Sequence, residues 1–157
     1  MSDDARHVPV PAADWGRTVV VVRDQEASLR YYRDAFGAHI LHDSTVNGFR
    51  YLHLGIGRGG LWLIAASEHS ADAVGRQTGG HPLGVVYVSD VEATIERAVA
   101  AGAKVVKDLV ADATARYAHV SDIDGNEIVL VQILVTDEGE SSYAEVRPDT
   151  SSSPRHR

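Results

Sequence analysis

The feature that most constrains this chain is an internal repeat. The stretch Val19-Val20-Val21-Val22-Arg23-Asp24-Gln25-Glu26-Ala27-Ser28-Leu29 lies over Val85-Val86-Tyr87-Val88-Ser89-Asp90-Val91-Glu92-Ala93-Thr94-Ile95. Valines coincide at 20/86 and 22/88, and Asp24, Glu26 and Ala27 fall on Asp90, Glu92 and Ala93. After a one-residue gap, Gly37-Ala38 falls on Gly102-Ala103. Self-similarity of this kind means two copies of one supersecondary unit.

Each copy reads as a β-branched strand, a polar cap and an amphipathic helix stopped by glycine. Leu29, Tyr32 and Phe36 recur at helical spacing in the first copy, as do Val91, Ile95, Ala98 and Val99 in the second. Ser89 and Glu92 fit a capping box. Strands are expected near Ala38–His42, Phe49–Ile56 and Leu61–Ala66, the last two joined by Gly57-Arg58-Gly59-Gly60. The second copy continues with strands near Lys104–Val110, Arg116–Ser121 and Glu127–Val135, with a turn at Asp122-Ile123-Asp124-Gly125-Asn126. The expected organisation is an N-terminal extension (1–14), a βαβββ module (15–66), a linker (67–81), a second βαβββ module (82–135) and a polar tail (136–157). The expected fold class is α+β. Two twisted four-stranded sheets, each covered on one face by a helix, curl into an incomplete barrel with a concave ligand cleft.

Composition removes several function classes. At 157 residues and 44% hydrophobic the chain suits one domain or two small fused modules, and no apolar run is long enough to span a bilayer. Cysteine is absent, which excludes disulfides, thiolate catalysis and Cys-ligated metal. Lys and Arg number 15 against 22 Asp and Glu, a net charge of -7, so neither nucleic acid nor an anionic membrane is an expected partner. The acidic start, Met1-Ser2-Asp3-Asp4, has no apolar segment of a secretion signal, and the expected compartment is the cytoplasm.

The Asp-x-Glu-Ala helix start, Tyr31-Tyr32-Arg33-Asp34-Ala35-Phe36-Gly37 and Asp122-Ile123-Asp124-Gly125-Asn126-Glu127-Ile128-Val129-Leu130-Val131-Gln132 together resemble the vicinal oxygen chelate superfamily. That group includes glyoxalase I, fosfomycin-resistance enzymes, extradiol dioxygenases and bleomycin-binding resistance proteins. The resemblance covers residues 15–134 and implies the duplicated fold. It also implies a divalent metal held by His or Glu from the first and last strand of each module. Carried over, those positions fall on Arg17, Ala65, Leu83 and Val129, none of which ligates a divalent cation. Glu127, two residues before Val129, is a displaced acid on the same strand face.

The remaining candidates come from strand parity. Tyr51 and His53 alternate with Leu52 and Leu54; with the leucines under the helix, Tyr51 and His53 face the hollow. The same parity sends Arg17, Val19 and Val21, then Val85 and Tyr87, then Val129 and Val131 to that side. The bland alternative is that Tyr51 and Tyr87 merely fill core space. Trp62, between Leu61 and Leu63, is expected to pack against a helix, and Trp15 to line a rim or a dimer seam. Tyr117 and His119 share one strand face; pairing Val120 with Val129 would turn them away from the hollow, whereas a bulge in the Asp122–Asn126 loop would reverse this, so His119 is a secondary candidate. None of the eight histidines has zinc-motif spacing. Gly55-Ile56-Gly57-Arg58-Gly59-Gly60 matches a dinucleotide string but opens no helix, and Asp122, Asp124 and Asn126 are turn residues rather than a calcium loop.

The expectation is a ligand-binding set of Arg17, Tyr51, His53, Tyr87, Val129 and Glu127, with no metal and no other cofactor. The resemblance to bleomycin-binding proteins implies metal-independent sequestration of an amphipathic or aromatic small molecule in a homodimer, with the acidic balance favouring a cationic one. The competing expectation is a metal-free enzyme of isomerase, cyclase or glyoxalase-like type, with His53 as the catalytic base and Tyr51 or Tyr87 as hydrogen-bond donor.

Overall fold

The two valine-rich runs form strands, and in each copy the aspartate that follows caps a helix. The computed structural model describes residues 12–134, so the polar tail, Val135, most of the N-terminal extension, His7 and His156 lie outside the described residues. The elements are β1 (Thr18–Val22), α1 (Gln25–Phe36), β2 (His39–Val46), β3 (Phe49–Ile56), β4 (Gly59–Ala65), β5 (Gly84–Tyr87), α2 (Val91–Ala100), β6 (Val105–Ala111), β7 (Ala115–Ser121) and β8 (Glu127–Ile133). Sheet A has the order β1-β4-β3-β2 and sheet B the order β5-β8-β7-β6, each with one parallel pair and neither closed into a barrel.

Local chemistry sets the boundaries. Asp24 accepts a hydrogen bond from the Ala27 N–H and Asp90 one from the Ala93 N–H, each satisfying a donor of the first helical turn. Asp90, not Ser89, is therefore the cap of α2, and Glu92 pairs with Arg116 at 2.7 Å instead of closing a capping box. Gly37 ends α1 in the left-handed region, at φ 69°. β2 runs four residues beyond its expected end because Asn47 and Gly48, both at positive φ, make a tight hairpin into β3. The β3–β4 turn is only Gly57-Arg58, which leaves Gly59 and Gly60 as strand residues paired with Ile56 and Gly55.

One core serves both modules. Val20, Val22, Leu52, Leu54 and Leu63 of sheet A and Ala118, Val120 and Leu130 of sheet B are fully buried beneath α1 and α2. Each such leucine contributes about 1.5–3 kcal/mol by leaving water. The helices pack on one another, and no strand of sheet A pairs with one of sheet B. Each sheet's other face therefore points away from the shared core.

Polar contacts fix the modules relative to each other. The Tyr31 hydroxyl donates to the Ser121 carbonyl at 2.9 Å, and the Tyr32 hydroxyl to Asp122 Oδ2 at 2.7 Å. Asp122 also accepts from Asn126 Nδ2 and from the backbone N–H groups of Asp124 and Asn126, each at 2.9 Å. Burial, reinforced by the Asp122 charge, holds the Tyr32 phenol well above its ordinary pKa. The linker lies over this junction. Gln77 closes the free edge of β1 by accepting from the Val21 N–H and donating to the Val19 carbonyl. Gly75 is at φ 69°, and a Cβ there would sit 2.0 Å from the Asp124 carbonyl oxygen, so this crossing requires glycine.

Candidate functional site

Alternation along the strands of sheet A sends leucines inward and a different set of side chains outward. The register aligns Val19, Trp62, His53 and His42 in one row across β1, β4, β3 and β2. The adjoining row runs from Arg17, just before β1, through Gly60 and Gly55 to His39. On the other side of the first row, Tyr51 faces Ser44 and Phe49 faces Val46.

The rings make a continuous strip. Phe49 meets Tyr51 edge-on at 4.8 Å, Tyr51 stacks on Trp62 at 5.9 Å and 21°, and His53 tilts against Trp62 at 5.2 Å. His42 extends the strip beyond His53 at 5.7 Å. Trp62 thus corrects the expectation that it packs against a helix. Leu61 and Leu63 take the inward positions, and parity alone turns the indole outward.

The glycine row is shaped for its neighbours. A Cβ on Gly60 would fall 2.8 Å from Arg17 Cδ, and one on Gly55 2.7 Å from His39 Cε1. The Arg17 and His39 side chains therefore lie across bare backbone, one from each edge of the row. Arg17 Nη1 donates to the Gly16 carbonyl at 2.5 Å, while Arg17 Nε and Trp62 Nε1 are buried donors with no hydrogen-bond partner among the described residues. No Asp or Glu occupies an outward position on these four strands. The nearby acids Asp43 and Glu26 are held by Arg50, at 2.7 and 2.5 Å. Burial, then the charges of His42 and Arg17, hold the His53 imidazole below its ordinary pKa of 6.5.

The outward face of sheet B follows the same plan with different residues. Val85, Val129, His119 and Lys107 form one row, and Tyr87, Val131, Tyr117 and Val110 the next. His119 pairs with Val129, not Val120 with Val129, so the imidazole faces outward beside Glu127, whose Oε1 contacts His119 Nδ1. Val85 and Tyr87 are about half exposed. Arg17, Tyr51 and His53 thus share sheet A, while Tyr87, Val129 and Glu127 share sheet B. A single chain does not gather the six on one surface.

Sequence reasoning sets Trp62 on the wrong face and gives His119 only a secondary place. Trp62 was findable by the parity already applied to Tyr51. Tyr117 and His119 were findable by the repeat, since Arg50-Tyr51-Leu52-His53 recurs as Arg116-Tyr117-Ala118-His119 at the spacing that separates Asp24 from Asp90. A groove of about 550 Å³ lies elsewhere, between the β3–β4 turn, the C-terminal end of α1 and β5. Arg58 and Arg97 are its charged wall residues, Arg97 being engaged by Thr94 and the Ala35 carbonyl, and it lacks the ring strip of sheet A.

The metal positions carried over from the resemblance divide similarly. Arg17 and Val129 face outward, but Ala65 pairs with Val22 on the helix-side parity and Leu83 packs against the core. On β4 the outward positions are Gly60, Trp62 and Ile64. This donor set does not fit a divalent cation, and the described residues contain no group of three His, Asp or Glu side chains arranged to hold one. No helix among them is long and apolar enough to cross a membrane.

The sequence model of the Glyoxalase/Bleomycin resistance protein/Dioxygenase superfamily matches residues 15–130. Among solved structures, UcmS2 is similar over 76% of this chain and 97% of its own, at 24% identity and a TM-score of 0.64. TnmS3, an antibiotic binding protein from Streptomyces sp. CB03234, is similar over 80% of this chain and 100% of its own, at 24% identity and a TM-score of 0.61. A glyoxalase/bleomycin resistance protein/dioxygenase family enzyme from Burkholderia phytofirmans PsJN is similar over 78% of this chain and 100% of its own, at 19% identity and a TM-score of 0.62. At these identities the likenesses establish the fold. No curated protein matches in sequence.

Proposed function

The chain belongs to the Glyoxalase/Bleomycin resistance protein/Dioxygenase superfamily, and from that premise we propose that it binds an aromatic or amphipathic small molecule without a metal and holds it rather than converting it. The observation that carries this reading is the outward ring strip Phe49–Tyr51–Trp62–His53 on sheet A. Flat side chains with polar edges give a planar ligand dispersion over its faces and orientation at its rim. The similarity to TnmS3, an antibiotic binding protein, supports the binding of a small molecule.

A homodimer completes the site in this proposal. Each chain presents two outward faces, bearing exposed Val19 on one and Val85 and Tyr87 on the other, with Trp15 85% exposed beside β1. Laying sheet A of one chain against sheet B of its partner encloses the ligand and covers this apolar surface, and a two-fold axis makes the arrangement twice. The six residues expected to bind ligand then meet across the interface.

The test is calorimetric titration with 2-naphthamide, a neutral bicyclic aromatic. Binding is expected to survive EDTA and to weaken about tenfold in Trp62→Ala, the loss of one stacked aromatic contact with its buried area. Indifference to Trp62→Ala, or loss of binding in EDTA, overturns the proposal.

A second reading is favoured by one contact. Glu127 orients the His119 imidazole, an arrangement suited to a general base more than the His53 first expected in that role. An enzyme so built would transform its bound molecule in a manner abolished by His119→Gln with binding retained. Recovery of a co-purified molecule unchanged after prolonged incubation, by mass spectrometry, refutes it.

A further inference from the structure

The ring strip leaves the ligand's charge open, and the row beside it bears on that charge. The chain is acidic overall, at -7, which at long range attracts cations. Once a molecule is bound, the local charge governs. On the outward face of sheet A that charge is carried by Arg17, with His39, His42 and His53 around it and no carboxylate at any outward position of the four strands.

Three independent observations converge on Arg17. Its stem crosses Gly60, whose missing side chain gives it room. Its Nε is a buried donor with no partner among the described residues, and Trp62 Nε1, one row away on the adjacent strand, is another. Both unpaired groups donate and neither accepts, so the partner that would satisfy them is an oxygen. The third is that Arg17 has no ion pair among the described residues, whereas Arg50, on β3 of the same sheet, holds both Asp43 and Glu26. A guanidinium left this way beside a ring strip pairs strongly with an acidic oxygen. Burial is the main cause of the lowered His53 pKa, and the His42 and Arg17 charges add to it in the direction that an uncompensated positive charge requires.

We propose that the sheet A face is an aromatic-anion site: the ligand's ring system lies against Trp62, and an ionised oxygen on it, a carboxylate or phenolate, pairs with the Arg17 guanidinium beside the Gly60–Gly55 row. This rests on the reading of sheet A as the ligand face and adds the charge of the ligand to it. A cationic aromatic would meet Arg17 with like charge, and a neutral one would leave the guanidinium without a counter-charge.

Three probes of one shape separate the outcomes by calorimetry: 2-naphthoate, 2-naphthamide and 2-naphthylmethylammonium. The full-length protein is expected to bind naphthoate about tenfold or more tighter than the amide, and the ammonium weakest of the three. Arg17→Met, which keeps the stem over Gly60, is expected to bring naphthoate to the amide's affinity, and Arg17→Lys to restore part of the preference. Equal affinity for all three probes, a preference for the ammonium, or an unchanged preference in Arg17→Met overturns the charge assignment while leaving the ligand face standing. Absence of binding by all three overturns both.

Discussion

Two adjacent tyrosines offer a controlled comparison. Tyr31 and Tyr32 sit on the same helix, are 1% and 2% exposed, and meet edge-on at 5.1 Å. They differ in what their hydroxyls reach: a neutral carbonyl, that of Ser121, for Tyr31 and the Asp122 carboxylate for Tyr32. Replacing either by Phe keeps the ring and deletes one hydrogen bond. A neutral bond contributes about 0.5–1.5 kcal/mol and one to a charged group about 1.5–3 kcal/mol. Asp122 retains three other donors in Tyr32→Phe, so the carboxylate is not stranded and the upper end of that range is not reached. The expected costs are about 1 kcal/mol for Tyr31→Phe and about 2 kcal/mol for Tyr32→Phe, or drops in Tm of roughly 2–4 °C and 4–8 °C for a chain of this size. Urea unfolding at pH 7, with unchanged slope, measures both. Tyr31→Phe equalling or exceeding Tyr32→Phe would refute the assignment of Asp122 as the ionic anchor between the modules. The consequence reaches function, because these bonds tie α1 of the first module to the β7–β8 end of the second and so set how sheets A and B are presented.

The two faces give two further expected outcomes. His53 is expected to titrate below 6.5 by NMR, because burial disfavours its charged form and His42 and Arg17 add repulsion. Since the folded protein then binds that proton less tightly than the unfolded chain, the contribution to stability is complete above about pH 6.5 and declines as pH falls toward the folded midpoint; Arg17→Met should raise that midpoint, and no movement would contradict the proximity. Sedimentation equilibrium is expected to give a dimer that Val85→Asp shifts toward monomer, while a monomeric wild-type chain would refute completion of the site by a partner.

What the sequence revealed and concealed has a physical pattern. The repeat and the cap-to-glycine signals located both helices and all eight strands because backbone preferences are local: Asp24 caps, Gly37 stops, and β-branched runs extend. The errors were of two kinds. Ser89 gave way to Asp90 because a cap requires reach to the third N–H as well as a hydroxyl or carboxylate, and the repeat, with Asp24 opposite Asp90, held that answer. The parity that sends Leu61 and Leu63 inward turns Trp62 outward, so its face follows from its own strand, whereas the face of His119 turns on register. A side chain's face depends on its cross-strand partner, and a one-residue slip reverses it. Nothing within the hairpin separates the Val120–Ile128 pairing found here from Val120–Val129; only the repeat, which lays His119 over His53, does so. The split of the expected site between two sheets depends on how the helices pack, which is tertiary information that strand parity does not contain.

The identity of residue 17 also bears on whether binding leads to reaction. A divalent ion at that place would draw oxygen ligands into fixed directions and lower the pKa of bound water, which is how such a site generates a nucleophile. A guanidinium supplies positive charge and planar donors but stays protonated near pH 7 and activates no water. In the proposed site Arg17 beside Trp62 keeps the sign of charge that suits an oxygen-bearing ligand, but it generates no metal-bound hydroxide. Aromatic contact contributes affinity in ground and transition states alike, and uniform binding of that kind tightens a complex without accelerating chemistry. On the proposed reading Arg17 and Trp62 hold the ligand, and the His119–Glu127 pair on the other sheet is the acid–base candidate.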